Sequence, residues 1–275
     1  MTVNSVRPRC PATGRLLEVD RCDAYFFDHE LDHLPGMVLV SGMFDLARST
    51  GMGTLETPGR RLTLVAEFPR FCELDAPVDM RPRGRPPTLS AWASQNGEAV
   101  FTGLCATHPE PPTIPVQSGM DYNFVEAAEP DLVHRRDPGN VLISRMAKCE
   151  GAWTVAIREP GPGHRLATTP FTPYRAETLV DAARQFVTMI CHTVHDTPMD
   201  SRFVLTRIDG DWPGGLCSPS FLRWIPQAPQ RGRRRTEFEL VTGGPGAPVC
   251  GRLAFEYFTM SPAGYRRLRR QSAPV

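Results

Sequence analysis

Two short stretches of this chain carry side chains whose types and spacing suit acid–base chemistry. The first, Phe26-Phe27-Asp28-His29-Glu30-Leu31-Asp32-His33-Leu34-Pro35-Gly36-Met37-Val38-Leu39-Val40, sets histidines and acids directly before a Pro-Gly that opens an apolar run. A proline in the first helical turn forfeits no hydrogen bond, and the unpaired N–H groups of such a turn can face a ligand. His29 and His33 therefore lie in a turn before a helix, either of them placed to act as a base, with Asp32, Gly36 and Met37 beside them. The second stretch, Ala176-Glu177-Thr178-Leu179-Val180-Asp181-Ala182-Ala183-Arg184-Gln185-Phe186, puts Asp181 and Gln185 four apart on one helical face with Arg184 close by. They sit among residues that read as buried. A carboxylate there needs a partner or has a raised pKa, and both conditions are common at acid–base sites. The competing reading makes Asp181 a structural carboxylate held by Arg184 or by backbone N–H groups, and each histidine a satisfied structural one.

The elements that must position these groups follow from the apolar pattern. Leu16–Asp20 reads as a short strand, and Pro35 to about Thr50 as a helix apolar around most of its girth, which something must wrap. Arg61–Phe68 alternates, Thr88–Ser94 alternates more weakly, and Asn96-Gly97 signals a turn before Ala99–Cys105 returns as a hairpin partner. A Pro-rich stretch without periodicity, 107–128, reads as a crossing linker. The pattern then restarts: strands over Asn140–Ser144 and Trp153–Ile157, a helix from about Ala176 to His195, and strands over Arg202–Thr206, Glu237–Val241 and Arg252–Phe258. Arg231–Arg235 and the tail Tyr265–Arg270 read as solvated loops. A long central helix wrapped by an antiparallel sheet, repeated in tandem, is the α+β double hotdog. Its expected divisions are an N-terminal hotdog at 1–106, the linker, and a C-terminal hotdog at 129–275.

Composition narrows the function. The 275 residues carry a formal charge of +1, which favours neither nucleic acid nor an anionic membrane as partner. The eight cysteines show no CxxC or other zinc spacing and read as reduced thiols, so no metal and no cofactor is expected. Residues 1–8 hold no apolar signal core, and no run of about 18 apolar residues follows, which predicts a cytoplasmic protein.

The copies differ in a telling way. Where a hotdog helix often carries a glutamate, five residues past Pro35-Gly36, this chain has Ser41. The first helix thus has histidines before it and no carboxylate on it, while the second has the carboxylate and, in Ala167–Tyr174, no histidine before it. When two hotdog halves pack side by side, the start of one helix faces the middle of the other. A single composite site built from His29 or His33 with Asp181 is the economical expectation, with Asp32, Gly36, Met37, Ser41, Arg184 and Gln185 binding substrate.

These residues resemble the A-factor biosynthesis (AfsA) family of double hotdog proteins, which make γ-butyrolactone and butenolide signals in actinobacteria. Leu132–Ser144 resembles the opening of an AfsA repeat, Leu179–Gln185 its helix and Phe258–Arg269 its end. Asp32–Leu39 is similar to the other repeat, so the two stand in the opposite order from the usual member. Ser41 replaces a family glutamate, Asp181 takes the place of another, and Thr169 stands where His-Pro-Phe is common. The resemblance implies acyl transfer from a β-ketoacyl carrier-protein thioester to a hydroxyl of a phosphorylated three-carbon acceptor, in secondary or signalling metabolism. It implies an acyl carrier protein or CoA thioester as partner, and an internal pseudo-dimer that leaves a further homodimer open. A dehydratase or isomerase of a β-hydroxyacyl thioester is the alternative, because polyketide dehydratases also set histidine in the first hotdog and Asp-x-x-x-Gln in the second. A thioesterase or a non-catalytic acyl-binding protein remains beside them. Arginines lining the pocket would favour a phosphate-bearing acceptor, whereas a strictly apolar tunnel would favour dehydration or binding.

Overall fold

Strand β2 (Arg60–Glu67) buries Leu62, Leu64 and Ala66 and leaves the residues between them less covered, the period-two pattern of a strand with one face against a core. Helix α1 (Gly36–Ala47) belongs to that core, with Val40, Met43, Phe44 and Ala47 wholly enclosed. The computed structural model describes residues 15–272 apart from 54, 111–123, 125, 169–171 and 228–231. A second helix, α2 (Ala176–Thr193), is buried around nearly its whole girth; of its 18 residues only Arg184 and Thr193 are not. Fully burying one large apolar side chain is worth about 1.5–3 kcal/mol, so helices of this kind exist by virtue of what wraps them.

The wrapping is one antiparallel sheet. Its strands are β1 (Arg15–Leu16), β2, β3 (Asp79–Arg85), β4 (Thr88–Gln95), β5 (Glu98–Pro109), β6 (Ala147–Cys149), β7 (Ala152–Ala156), β8 (Arg202–Pro213), β9 (Ser220–Trp224), β10 (Arg234–Thr242) and β11 (Val249–Met260). They run in the order β1-β3-β4-β5-β2-β8-β11-β10-β9-β7-β6. The two halves join where β2 pairs with β8, from Arg61 opposite Pro213 to Glu67 opposite Arg207. Across that seam Arg61 donates to Asp211, Thr63 Oγ1 donates to Asp211 Oδ2 at 3.0 Å, and Arg207 donates to Glu67. A single apolar core runs through both halves, with Phe186 of α2 stacked on Phe238 at 4.9 Å. The Asn96-Gly97 turn forms as its residue types demand, with φ of 52° and 81° joining β4 to β5. No described helix is long and apolar enough to cross a membrane.

Four local expectations change. The Leu16–Asp20 strand shrinks to the two residues of β1. Asn140–Ser144 forms no continuous strand: a 3-10 turn covers Pro138–Asn140, and only isolated bridges follow. The reason is that Gln185 of α2 takes the Leu142 N–H at 2.9 Å and donates to the Asn140 carbonyl at 2.8 Å, so the backbone groups a ladder would use are already engaged. β3 was hidden by Pro82 and Gly84. Among the described residues no strand pairs its outer side beyond Met80, so the missing proline N–H interrupts no described ladder there. The tail is not a loop but α3 (Pro262–Ser272), docked through buried Tyr265 and through Arg269, whose guanidinium lies over the Phe71 ring at 4.6 Å. Strand β5 continues to Pro109. Most of the 107–128 linker, Thr169 and Arg231 lie outside the described residues, while Arg233 and Arg235 pair with Glu256 on the sheet.

Candidate functional site

The segment from Asp23 to Pro35 has little regular structure, and its order comes from polar tethers to the other half of the chain. Arg135 Nη1 donates to the Tyr25 carbonyl at 2.7 Å, and Asn140 Nδ2 donates to the Ala24 carbonyl at 2.8 Å. Asp28 is the hub. Its Oδ2 accepts from the Arg136 N–H and from Asn140 Nδ2, each at 3.3 Å, while its Oδ1 accepts from His29 Nδ1 at 2.7 Å. Burial pushes the Asp28 carboxyl up, but the hydrogen bonds from His29 and Asn140 and the charge of Arg135 outweigh it and hold it below the usual range. His29 is thereby fixed by Nδ1, and among the described residues no hydrogen bond is made to its Nε2. It lines a cavity of about 1070 Å³ whose wall is built from both halves.

His33 is held in the same manner by a different neighbour. Its Nδ1 lies 2.7 Å from Asp32 Oδ1, and the Tyr265 hydroxyl of α3 donates to that oxygen at 2.8 Å and lies 3.1 Å from the ring nitrogen. Helix α3 is anchored over this corner by Arg269, which donates to Glu73 at 2.6 and 2.7 Å. Burial raises the Asp32 carboxyl, and the hydrogen bonds from His33 and Tyr265 more than reverse this. His33, Asp32, Gly36 and Met37 all line the cavity. Among the described residues no side chain caps the start of α1. A Cβ at Gly36 would stand 3.0 Å from Cε1 of Phe68, so the glycine lets the helix start approach that ring. Ser41 is placed otherwise: it is buried on α1 and is not part of the wall.

Asp181 is also placed otherwise. It is fully buried and lies behind the wall, where three side chains converge on it. Arg135 Nη2 donates to Oδ2 at 2.7 Å, Arg184 Nε to Oδ1 at 2.6 Å, and Gln185 Nε2 to Oδ2 at 2.9 Å. Burial alone would raise its pKa, but the two guanidinium groups hold the carboxyl far below the ordinary carboxylate range. A carboxylate so clamped is an anchor: it fixes two cations and, through Gln185, the backbone of 140–142. The histidines and Asp181 do belong to one assembly, yet Arg135 and Arg184, rather than Asp181, reach the cavity. Gln185 is wholly engaged with Asp181 and the backbone.

Other wall residues went unselected in the sequence. Arg202, at the start of β8, and His134, at the left-handed end of the 3-10 turn Pro130–Val133, both line the cavity. His134 Nε2 lies 2.8 Å from His192 Nε2 of α2, and His192 Nδ1 lies 2.8 Å from the Thr197 carbonyl. Burial, then the charges of His192, Arg184, His29 and Arg202, push His134 down to about 3. Among the described residues no group of three His, Cys, Asp or Glu is arranged to hold a metal ion.

Residues 116–243 match the family model described as the A-factor biosynthesis hotdog domain, AfsA. That stretch of the chain is similar to an AfsA hotdog domain. Solved structures share the whole double hotdog. The dehydratase domain of the polyketide PpsC from Mycobacterium tuberculosis aligns at a TM-score of 0.61 and 15% identity, over 92% of this chain and 96% of that one. The dehydratase domain from the CurJ module of the curacin polyketide synthase aligns at 0.55 and 15% identity, over 84% and 87%. An acyl-CoA thioesterase II, TesB2, from Mycobacterium marinum aligns at 0.53 and 15% identity, over 84% and 90%. At such identities the likeness is one of fold. Among curated proteins none matches the sequence.

The AfsA match divides the cavity. His134, Arg135, Asp181, Arg184, His192 and Arg202 fall within it, whereas His29 and His33 precede it. The signal for His134 and Arg135 stood in Leu132–Ser144, but only as sequence likeness. Nothing in their spacing links them to Asp181 or His192, because the link is a contact across 46 and 58 residues respectively.

Proposed function

We propose that the chain transfers a β-ketoacyl group from a carrier-borne thioester to a hydroxyl of a small phosphorylated acceptor. The observation that carries this reading is the cationic part of the cavity wall. Arg184 and Arg202 stand there with His29 and His134, so the lining is not the strictly apolar tunnel that would favour dehydration. A phosphate dianion would meet guanidinium groups suited to bidentate pairing. The apolar remainder of the wall, which includes Leu39, Phe68, Leu205 and Phe255, suits an acyl chain. Its volume of about 1070 Å³ is ample for donor and acceptor together. The rim is basic too: on α3, Arg266 lines the cavity and Arg267 and Arg270 follow it with no acid on the helix, a surface for an acidic carrier protein or the phosphates of CoA.

Dehydration of a β-hydroxyacyl thioester is the second reading, favoured by histidines supplied from the first hotdog. It requires a proton donor opposite them, and Asp181, clamped by two arginines, is poorly suited to that role. The deciding experiment is intact-mass analysis of a carrier protein loaded in turn with β-ketoacyl and β-hydroxyacyl chains, with and without dihydroxyacetone phosphate. Loss of the ketoacyl chain only when the phosphate acceptor is present supports the transfer. A loss of about 18 mass units from the hydroxyacyl chain, the mass of one water, replaces it with dehydration. No change in either overturns both.

A further inference from the structure

The cavity histidines differ in what stands behind them. His29 and His33 each place Nδ1 on a carboxylate, Asp28 and Asp32. His134 instead leans on another imidazole. The Thr197 carbonyl can only accept, so His192 carries its proton on Nδ1 and, in the neutral ring, presents a lone pair at Nε2. His134 must then donate Nε2–H into that lone pair across 2.8 Å, which leaves the lone pair of His134 on Nδ1. Among the described residues no hydrogen bond is made to that nitrogen, and the ring belongs to the cavity wall. The left-handed backbone at His134, φ 54°, and the edge of its ring against Phe203 at 5.1 Å fix the orientation.

We propose that His134 is the general base of the transfer, with His192 its positioning residue. This rests on the acyl-transfer reading above. The acceptor O–H proton passes to His134 Nδ1 as the oxygen bonds to the thioester carbonyl carbon. Collapse of the tetrahedral intermediate breaks the C–S bond, and the proton on Nδ1 goes to the departing thiolate, giving an ester and a free carrier thiol. The charged and titratable groups facing His134 are His192 and Arg184 on α2, His29 in the loop before α1 and Arg202 on β8. All are potential cations, so in the free enzyme they disfavour a further positive charge on His134. An acceptor phosphate set against Arg184 and Arg202 offsets their charge and makes Nδ1 more basic when substrate is bound. The acid limb in kcat, which reports the complex, should therefore lie at higher pH than that in kcat/KM, which reports the free enzyme.

His134→Asn, which tolerates the left-handed backbone, should lower kcat by about 10²–10⁴-fold with little change in KM for the acceptor, and added imidazole should restore part of the rate. His192→Gln keeps an acceptor opposite Nε2 and should retain most activity. His192→Phe should lose rate and move the acid limb of kcat, a change that simple destabilisation would not produce. Independently of turnover, ¹⁵N-edited NMR should show the His134 Nε2 proton in the wild type and lose it in His192→Phe. If the wild type transfers and His134→Asn transfers equally fast, His134 is not the base. If the wild type transfers nothing, the acyl-transfer reading falls and the base falls with it. A His134 proton found on Nδ1 overturns the assignment in either case.

Discussion

The start of α1 and the start of α2 occupy corresponding places in the two hotdog halves, and the chain treats them in opposite ways. At the first, Gly36 and Met37 face a cavity, and Arg184 from the middle of α2 reaches its wall. At the second, Arg48 from the end of α1 donates to both oxygens of Glu177 at 2.8 and 2.9 Å and to Glu56 at 2.6 Å. Arg175 adds a bond to Glu177 at 2.9 Å, and Glu56 accepts the Ala176 N–H at 3.1 Å, closing the helix start. The charges there satisfy one another. At the open end Asp181 draws Arg135 and Arg184 into place, while His29, His33, His134 and Arg202 line the cavity. A duplicated fold thus turns one of two equivalent openings into a brace and keeps the other for a ligand.

Breaking the anchor of the open end should have the largest effect. Asp181→Asn leaves the buried Arg135 with only the more distant Asp28 carboxylate, at 3.6 Å, and should cost about 3–5 kcal/mol in denaturant unfolding. A full loss of turnover with wild-type stability would instead make Asp181 a reacting group. Arg202→Ala removes a charged bond to the acceptor and should raise its KM about 10–100-fold with unchanged Tm, since such bonds are worth about 1.5–3 kcal/mol. Equal KM values would mean that the anion binds elsewhere. Glu177→Gln tests the brace: with Glu56 still opposite Arg48, the expected loss is about 1–3 kcal/mol of stability with kcat kept.

Acid should load both ends in the same direction. Burial pushes Asp181 and Glu177 up, but arginines hold both carboxyls below their ordinary range. A depressed folded pKa contributes stability above the unfolded value, near 4, that is lost as pH falls toward the folded value. Tm should be flat above about pH 5 and fall below 4, less steeply in Asp181→Asn and Glu177→Gln than in the wild type. The smallest effect belongs to Gly36→Ala. Its Cβ would crowd Phe68 at 3.0 and 3.3 Å, and a ring shift should cost no more than about 1 kcal/mol while altering KM for the thioester.

Local signals carried much of this in the sequence. The apolar girth of α1, the spacing in α2 and the Asn96-Gly97 turn each act within a few residues, and the double hotdog followed from them. β3 escaped because the tolerance of Pro82 depends on which edge of a sheet it occupies. The tail escaped because Tyr265 and Arg269 find Asp32 and Glu73 only after the chain has folded.

The site divides along the same line. His29 and His33 stand beside their own partners, Asp28 and Asp32, one residue away, so their pairing was within reach of sequence. Asp181 read as a buried carboxylate in need of a partner, and that need was correctly legible because burial of a charge demands compensation. Which cations answered it, and whether it faced the cavity, was not. Arg135, His134 and His192 enter through turns and contacts whose energies depend on distance in space, and the linear chain does not encode that distance at any single position.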